Sequence, residues 1–184
     1  MNVEPIVLES DQQLGAFALD FAKLLDAHKL FPDTWRKDPL LVIGAVRASK
    51  FWKLTDRRGR LFGLVWLSNI VPGDSAMIHV IMDKKYRRLL TPKRVDPLRV
   101  QRSRVNSHGR GKLDAMAKIL DYAFNDLGVR RITGMIPFSR KSALRLAKKA
   151  GFSNEGRLSE ASMLNGKVDD LVIWGLTRKQ WIKS

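Results

Sequence analysis

Between Lys84 and Lys112 the chain reads KKYRRLLTPKRVDPLRVQRSRVNSHGRGK: eleven Lys or Arg, one acid (Asp96), two prolines and no sustained apolar period. Such a stretch offers no apolar face to a core, and its prolines interrupt both helix and ladder hydrogen bonding. It reads as a long basic loop, so whatever folds must draw its core from the two flanks. Hydrophobic residues make up 45% of the 184, enough for a full core and too many for a disordered basic arm. The expected organisation is one domain over residues 1–184, with 88–108 as a basic insertion within it. The segment also carries a net +10 of the chain's formal +16.

The first flank reads as a β-type run at Ile6–Leu8, then a helix from about Gln12 to Leu30 capped by Ser10 or Asp11. Its apolar positions Leu14, Phe17, Ala18, Phe21, Leu24 and Leu25 recur at three- and four-residue steps. Pro32 and Pro39 punctuate a connection containing Trp35, and Leu40–Val46 fits either a strand or a short buried helix. Phe51–Thr55 and Leu61–Leu67 flank the polar connector Asp56–Arg60 as a hairpin would, and Pro72-Gly73-Asp74 turns the chain into a third strand, Ala76–Met82. The second flank opens with an amphipathic helix from Leu113 to Leu127 whose stripe includes Met116, Leu120 and Phe124. A strand at Arg131–Phe138, a helix at Lys141–Ala150 stopped by Gly151, and two strands joined by Asn165-Gly166 complete it. The order β-α-β-β-β-loop-α-β-α-β-β predicts an α/β (α+β) fold, a central mixed and mostly antiparallel sheet of six to seven strands with helices on both faces.

Cysteine is absent, which excludes disulfides, Cys-ligated metals and a thiol nucleophile. The three histidines (His28, His79, His108) are far apart in sequence, which disfavours a His-rich metal site. No apolar run approaches 18 residues, so no membrane partner is expected, and MNVEPIVLES lacks signal-peptide character. The expected location is the cytoplasm.

The stretch KILDYAFNDLGVRRITGMIPFSRKSALRLAKKAGFSNEGRL, with NGKVDDLVIWGL after it, resembles the GNAT family of acetyl-CoA-dependent N-acetyltransferases, in particular the type acting on ribosomal-protein N-termini. Phe62-Gly63-Leu64 and Asp83-Lys84-Lys85-Tyr86-Arg87 share the likeness, which runs from about Phe51 to the C-terminus. The resemblance implies a sheet that splays between its fourth and fifth strands. Acetyl-CoA would enter the notch with its pyrophosphate on the N-terminus of the following helix, where backbone N–H groups and the helix dipole favour an anion.

Three departures bear on the site. Glycines of the phosphate loop arrive only at Gly109 and Gly111, after an insertion of about twenty residues, with Asn106 where Arg or Gln is usual. The candidate cofactor contacts are therefore Asn106, Gly109, Arg110, Gly111 and Lys112, with Ser139 and Ser142 at the later helix; ordinary loop and capping roles stand beside this reading. Met77 stands where relatives carry a carboxylate, and Trp174 where some have Tyr. His79, two residues on and on the same strand face, is the remaining candidate base.

Two functions follow. One is acetyl transfer from acetyl-CoA to a primary amine, with no metal required; the acceptor is a protein N-terminus, a lysine, an aminoglycoside or a polyamine, the positive charge making a cationic small acceptor less natural. The other is a GNAT-fold protein with weakened or lost catalysis, used in assembly or nucleic-acid binding. Some tailed bacteriophages encode GNAT-like proteins of this reduced kind, in virion or nucleoprotein roles. The basic segment is a solvated loop, a clamp for nucleic acid, or a dock for an acidic protein surface. If it clamps nucleic acid, affinity for DNA and RNA falls steeply with salt and disappears on deleting Leu89–Val105. A flat salt dependence, or affinity unchanged by the deletion, counts against the clamp.

Overall fold

The computed structural model describes residues 2–27, 39–56, 58–82, 115–164 and 166–183. The expectations for the helix end at Leu30, the Pro32–Trp35 connection, the Asp83–Arg87 strand end, the basic segment, Leu113 and Asn165 lie outside those residues.

Seven strands form one sheet: β1 (Asn2–Ile6), β2 (Lys50–Thr55), β3 (Leu61–Val71), β4 (Ser75–Met82), β5 (Arg131–Pro137), β6 (Ser153–Leu164) and β7 (Lys167–Thr177), in the order β1-β2-β3-β4-β5-β7-β6. Every pairing is antiparallel except β4 with β5. The first strand lies at Asn2–Ile6, earlier than the Ile6–Leu8 run, because Asn2 to Ile6 pair in register with Thr55 to Phe51. Pro5 is tolerated there because β1 is an edge strand.

Helix α1 (Asp11–Ala27) begins where its cap predicts: Ser10 Oγ accepts the Gln13 N–H at 3.2 Å, and the Gln13 side chain accepts the Glu9 N–H at 2.8 Å. The ambiguous Leu40–Val46 run is helical, within α2 (Pro39–Arg47). Leu14, Ala18, Phe21 and Leu25 of α1 and Val42 and Val46 of α2 pack with Phe51, Leu64 and Ile81 on one face of the sheet. Strand alternation sends Trp52, Val65 and Met82 to the other face, where α3 (Ala115–Asp121) contributes Met116, Ile119 and Leu120. The expected single helix to Leu127 is not uniform, since α3 continues as a π-helical turn over Tyr122–Asp126, with Leu127 N–H bonded to Tyr122 O at 3.0 Å. The wider turn leaves Ala123 and Phe124 both fully buried. Helix α4 (Lys141–Lys149) follows β5, and α5 (Arg178–Lys183) closes the described chain.

Two turns position the centre of the sheet. Gly73 takes a left-handed φ of 74° between β3 and β4, a conformation other residues adopt only at a cost. The neighbouring Asp74 carbonyl accepts the N–H groups of Arg130 (2.7 Å) and Arg131 (3.2 Å), and its carboxylate pairs with the Arg130 guanidinium. This corner pins the start of β5 to the start of β4.

Gly63 on β3 is the tightest backbone approach: a Cβ there would lie 2.7 Å from the Ile81 carbonyl oxygen and 3.3 Å from Leu54 Cδ1. Gly63→Ala is expected to cost about 2 kcal/mol, because a strand rather than a side chain must yield. Urea unfolding of the two proteins measures this, and an unchanged midpoint would refute it.

Candidate functional site

Strands β4 and β5 pair over three residues only: Ser75 with Arg131, Ala76 with Ile132, Met77 with Thr133. Beyond that point they separate. Among the described residues, the facing backbone edges of residues 78–82 and 134–137 have no partner strand on the side of the gap. A cavity of about 1010 Å³ occupies the notch. Its lining comes from both faces of the sheet, with Phe21, Phe51, Trp66 and His79 on the α1/α2 face and Met116, Leu146 and Phe152 on the α4 face. The opening thus runs through the sheet, as the resemblance implied.

On the α1/α2 face three flat rings stand in one cross-strand row. Phe51, Trp66 and His79 are register partners across β2, β3 and β4. Phe51 stacks on Trp66 (5.9 Å, 15°) and Trp66 on His79 (4.7 Å, 10°), with Phe21 of α1 edge-on to Trp66 at 5.1 Å. His79 Nε2 is 2.8 Å from Ser68 Oγ. Burial pushes the imidazole pKa down to about 4, so the ring is neutral at physiological pH. Met77, the position expected to lack a base, lines the same cavity, where its sulfur accepts a hydrogen bond from Asn69 Nδ2 at 3.2 Å.

On the other face Arg140, just before α4, and Ser142, Arg145 and Lys149 within it line the cavity. Arg145 and Lys149 have no carboxylate partner among the described residues. No Asp or Glu lines the cavity among the described residues.

Of the residues singled out from the sequence, His79 and Ser142 share this cavity. Ser139 is exposed in the turn before α4 and does not line it; its N–H donates to Asp169 Oδ2 at 3.1 Å. Asn106, Gly109, Arg110, Gly111 and Lys112 lie outside the described residues. Trp66, which the sequence marks as core or substrate-cleft wall, lines the cavity, whereas Ser68 and the α4 cations were missed. Cross-strand register carries Trp66 and Ser68, since Trp66 sits opposite His79 and Ser68 opposite Met77. Among the described residues no group of three or more His, Asp or Glu is placed to hold a metal, and no helix is long and apolar enough to cross a membrane.

No protein-family model matches the chain. It is 27% identical over 74 residues to a putative ribosomal N-acetyltransferase, YdaF, of Bacillus subtilis, a match covering 40% of each chain. Solved structures agree over almost the full length. A chimera of the spermidine N-acetyltransferase SpeG from Vibrio cholerae with hSSAT superposes with a TM-score of 0.64 at 17% identity, covering all of both chains. Dodecameric SpeG from the same organism gives 0.60 at 18% identity, over 98% of this chain and 96% of that one. The fold is that of the GNAT acetyltransferases, with the mixed sheet and helices on both faces that the order of elements predicts and the splay that the resemblance implies.

The buried histidine makes a pH signature. Its folded pKa of about 4 lies below the ordinary imidazole value of 6.5, so the unfolded chain binds more protons between those limits. The stability contributed by neutral His79 is complete above pH 6.5 and is lost as pH falls through 4, about 3 kcal/mol in all. His79→Asn is expected to flatten stability against pH across that window. Denaturant titrations at pH 4 and pH 7 check it, and equal pH slopes for the two proteins would refute the burial argument.

Proposed function

We propose that the chain is an N-acetyltransferase that carries an acetyl group from acetyl-CoA to a primary amine. The single observation behind this reading is the notch that passes through the sheet, basic on its α4 face and ring-lined with a histidine on its α1/α2 face. The likeness to spermidine and ribosomal N-acetyltransferases supports acetyl transfer to an amine in general. When bound, an acetyl thioester supplies an acyl carbon at which an amine displaces a thiol: a C–N bond forms, the C–S bond breaks, and a proton moves from nitrogen to sulfur.

The chain's own groups suit both partners. The unpaired edges of residues 78–82 and 134–137 offer N–H and C=O groups to the amides of an extended arm, as a sheet edge does to an added strand. Ser142, Arg140, Arg145 and Lys149 stand on the face where the phosphates would lie, and like charges there help to hold a polyanion. Asn106, Gly109, Arg110, Gly111 and Lys112 join this set from the sequence alone.

His79 serves as the proton acceptor in this reading, but not with the near-neutral pKa expected from the sequence: burial lowers it to about 4, which keeps the ring neutral and makes it a weak base. The Ser68 hydroxyl already occupies its Nε2, so an amine in the cavity meets Ser68 first. In the tautomer with Nε2 unprotonated, the amine proton passes to Ser68 Oγ while the Ser68 proton passes to Nε2. The acceptor is an amine carried by a protein or peptide, an N-terminus or a lysine. A polyamine such as the spermidine named for the Vibrio enzymes is disfavoured, since the cations of α4 and the net charge of +16 repel it.

Calorimetry with acetyl-CoA at moderate salt, followed by a thiol-release assay with peptide amines, tests the proposal. Saturable binding and CoA release are expected, with kcat lowered about 100-fold or more by His79→Asn while acetyl-CoA affinity holds. No saturable binding at high micromolar acetyl-CoA would overturn it. Binding without turnover on any amine would leave a binding protein in place of an enzyme.

A further inference from the structure

The ring row on the α1/α2 face ends abruptly. Trp66 is covered on one side by Phe51 and on the other by His79. His79 has Trp66 on one side, and among the described residues no ring stacks on its other side. The reason is topological. Each member of the row is a register partner of the next, and the next strand, β5, has parted from β4 two residues earlier, after Thr133. Continuing the register places Met135 opposite His79 across the gap, and Met135, 45% exposed, lines the far wall of the same cavity. Among the described residues the missing place in the row is therefore a slot between the His79 imidazole and the Met135 side chain. Both favour a flat or apolar group, and neither offers a charge to an ammonium or a carboxylate.

The covered faces of Trp66 also bear on what can bind. An ammonium ion needs an open aromatic face, and both faces of the most electron-rich ring here are taken. No carboxylate lines the cavity among the described residues, while Arg140, Arg145 and Lys149 do. Charge and shape thus point the same way.

We propose that this slot is an acceptor subsite, and that it takes a planar or bulky apolar group carried next to the reacting amine, as in an arylalkylamine or a peptide beginning with Phe, Leu or Met. The inference rests on the acetyl-transfer reading for the word acceptor, but the slot itself is a binding property that can be measured without turnover. Seated against His79, the apolar group would bring the neighbouring amine beside Ser68, which lines the cavity on the strand next to it.

The test uses the full chain and two independent titrations. The first measures binding of phenylalaninamide, lysinamide and spermidine by calorimetry, without acetyl-CoA. The second measures acetyl-CoA binding alone. Phenylalaninamide is expected to bind at least about tenfold more tightly than lysinamide or spermidine. Met135→Trp, a change at an exposed position that fills the slot, is expected to remove that preference while the urea unfolding midpoint stays unchanged. Equal affinity for the three amines, tighter binding of spermidine, or a preference that survives Met135→Trp would overturn the subsite. Failure of acetyl-CoA to bind, with the amine preference intact, would overturn the acetyl-transfer reading and not the slot.

Discussion

The short parallel pairing of β4 with β5 is the constraint from which the site follows. A parallel pair gains its strength from length, and this one stops after Met77 and Thr133. It is held at its closed end by the Asp74 corner, where one carbonyl takes two N–H groups from the start of β5 and the carboxylate takes the Arg130 side chain. On the far side β5 is committed to β7 along its whole length, Arg131 to Pro137. β4 is likewise committed to β3, from Ser75 to Met82. Each strand follows its own long partner, and the two part company between them. The cavity is what that competition leaves.

Because the gap lies inside a sheet with a helix layer on each face, it joins two different environments. Alternation along β4 sends Met77, His79 and Ile81 to the α1/α2 side and Ile78, Val80 and Met82 to the α3/α4 side. One side is built from aromatic and aliphatic residues, which desolvate His79 and keep it neutral. The other is edged by the cations of α4. In the proposed reaction a polyanionic donor and an uncharged amine would therefore approach from opposite faces and meet in the gap, the arrangement that a direct transfer between them requires.

Much of the fold was legible in the sequence, since its signals are local. Ser10 capped α1, Pro72-Gly73-Asp74 turned β3 into β4, and Gly151 stopped α4, each through a preference of the backbone at that position. Alternation alone put His79 and Met77 on one face. Leu40–Val46 could not be resolved between strand and helix, because a short apolar run carries no period and its packing against α1 decides. The first strand was placed too late for a similar reason: Asn2–Ile6 becomes a strand by pairing with β2, and the apolar content of Ile6–Leu8 says nothing about that partner.

For this protein the sequence by itself determined the element types, the two apolar flanks, the concentration of charge in one segment and the absence of any sulfur nucleophile, because composition and period are properties of the chain alone. It also carried enough ordered text after Phe51 to resemble its fold class. Only the tertiary structure decided that Ser68 binds His79, that Trp66 stacks on it, that Ser142 and not Ser139 lines the cavity, and that the ring row stops at an open slot. Those are relations across strands and across the gap. They depend on register and on where two strands diverge, and neither is set by residues close together in the chain.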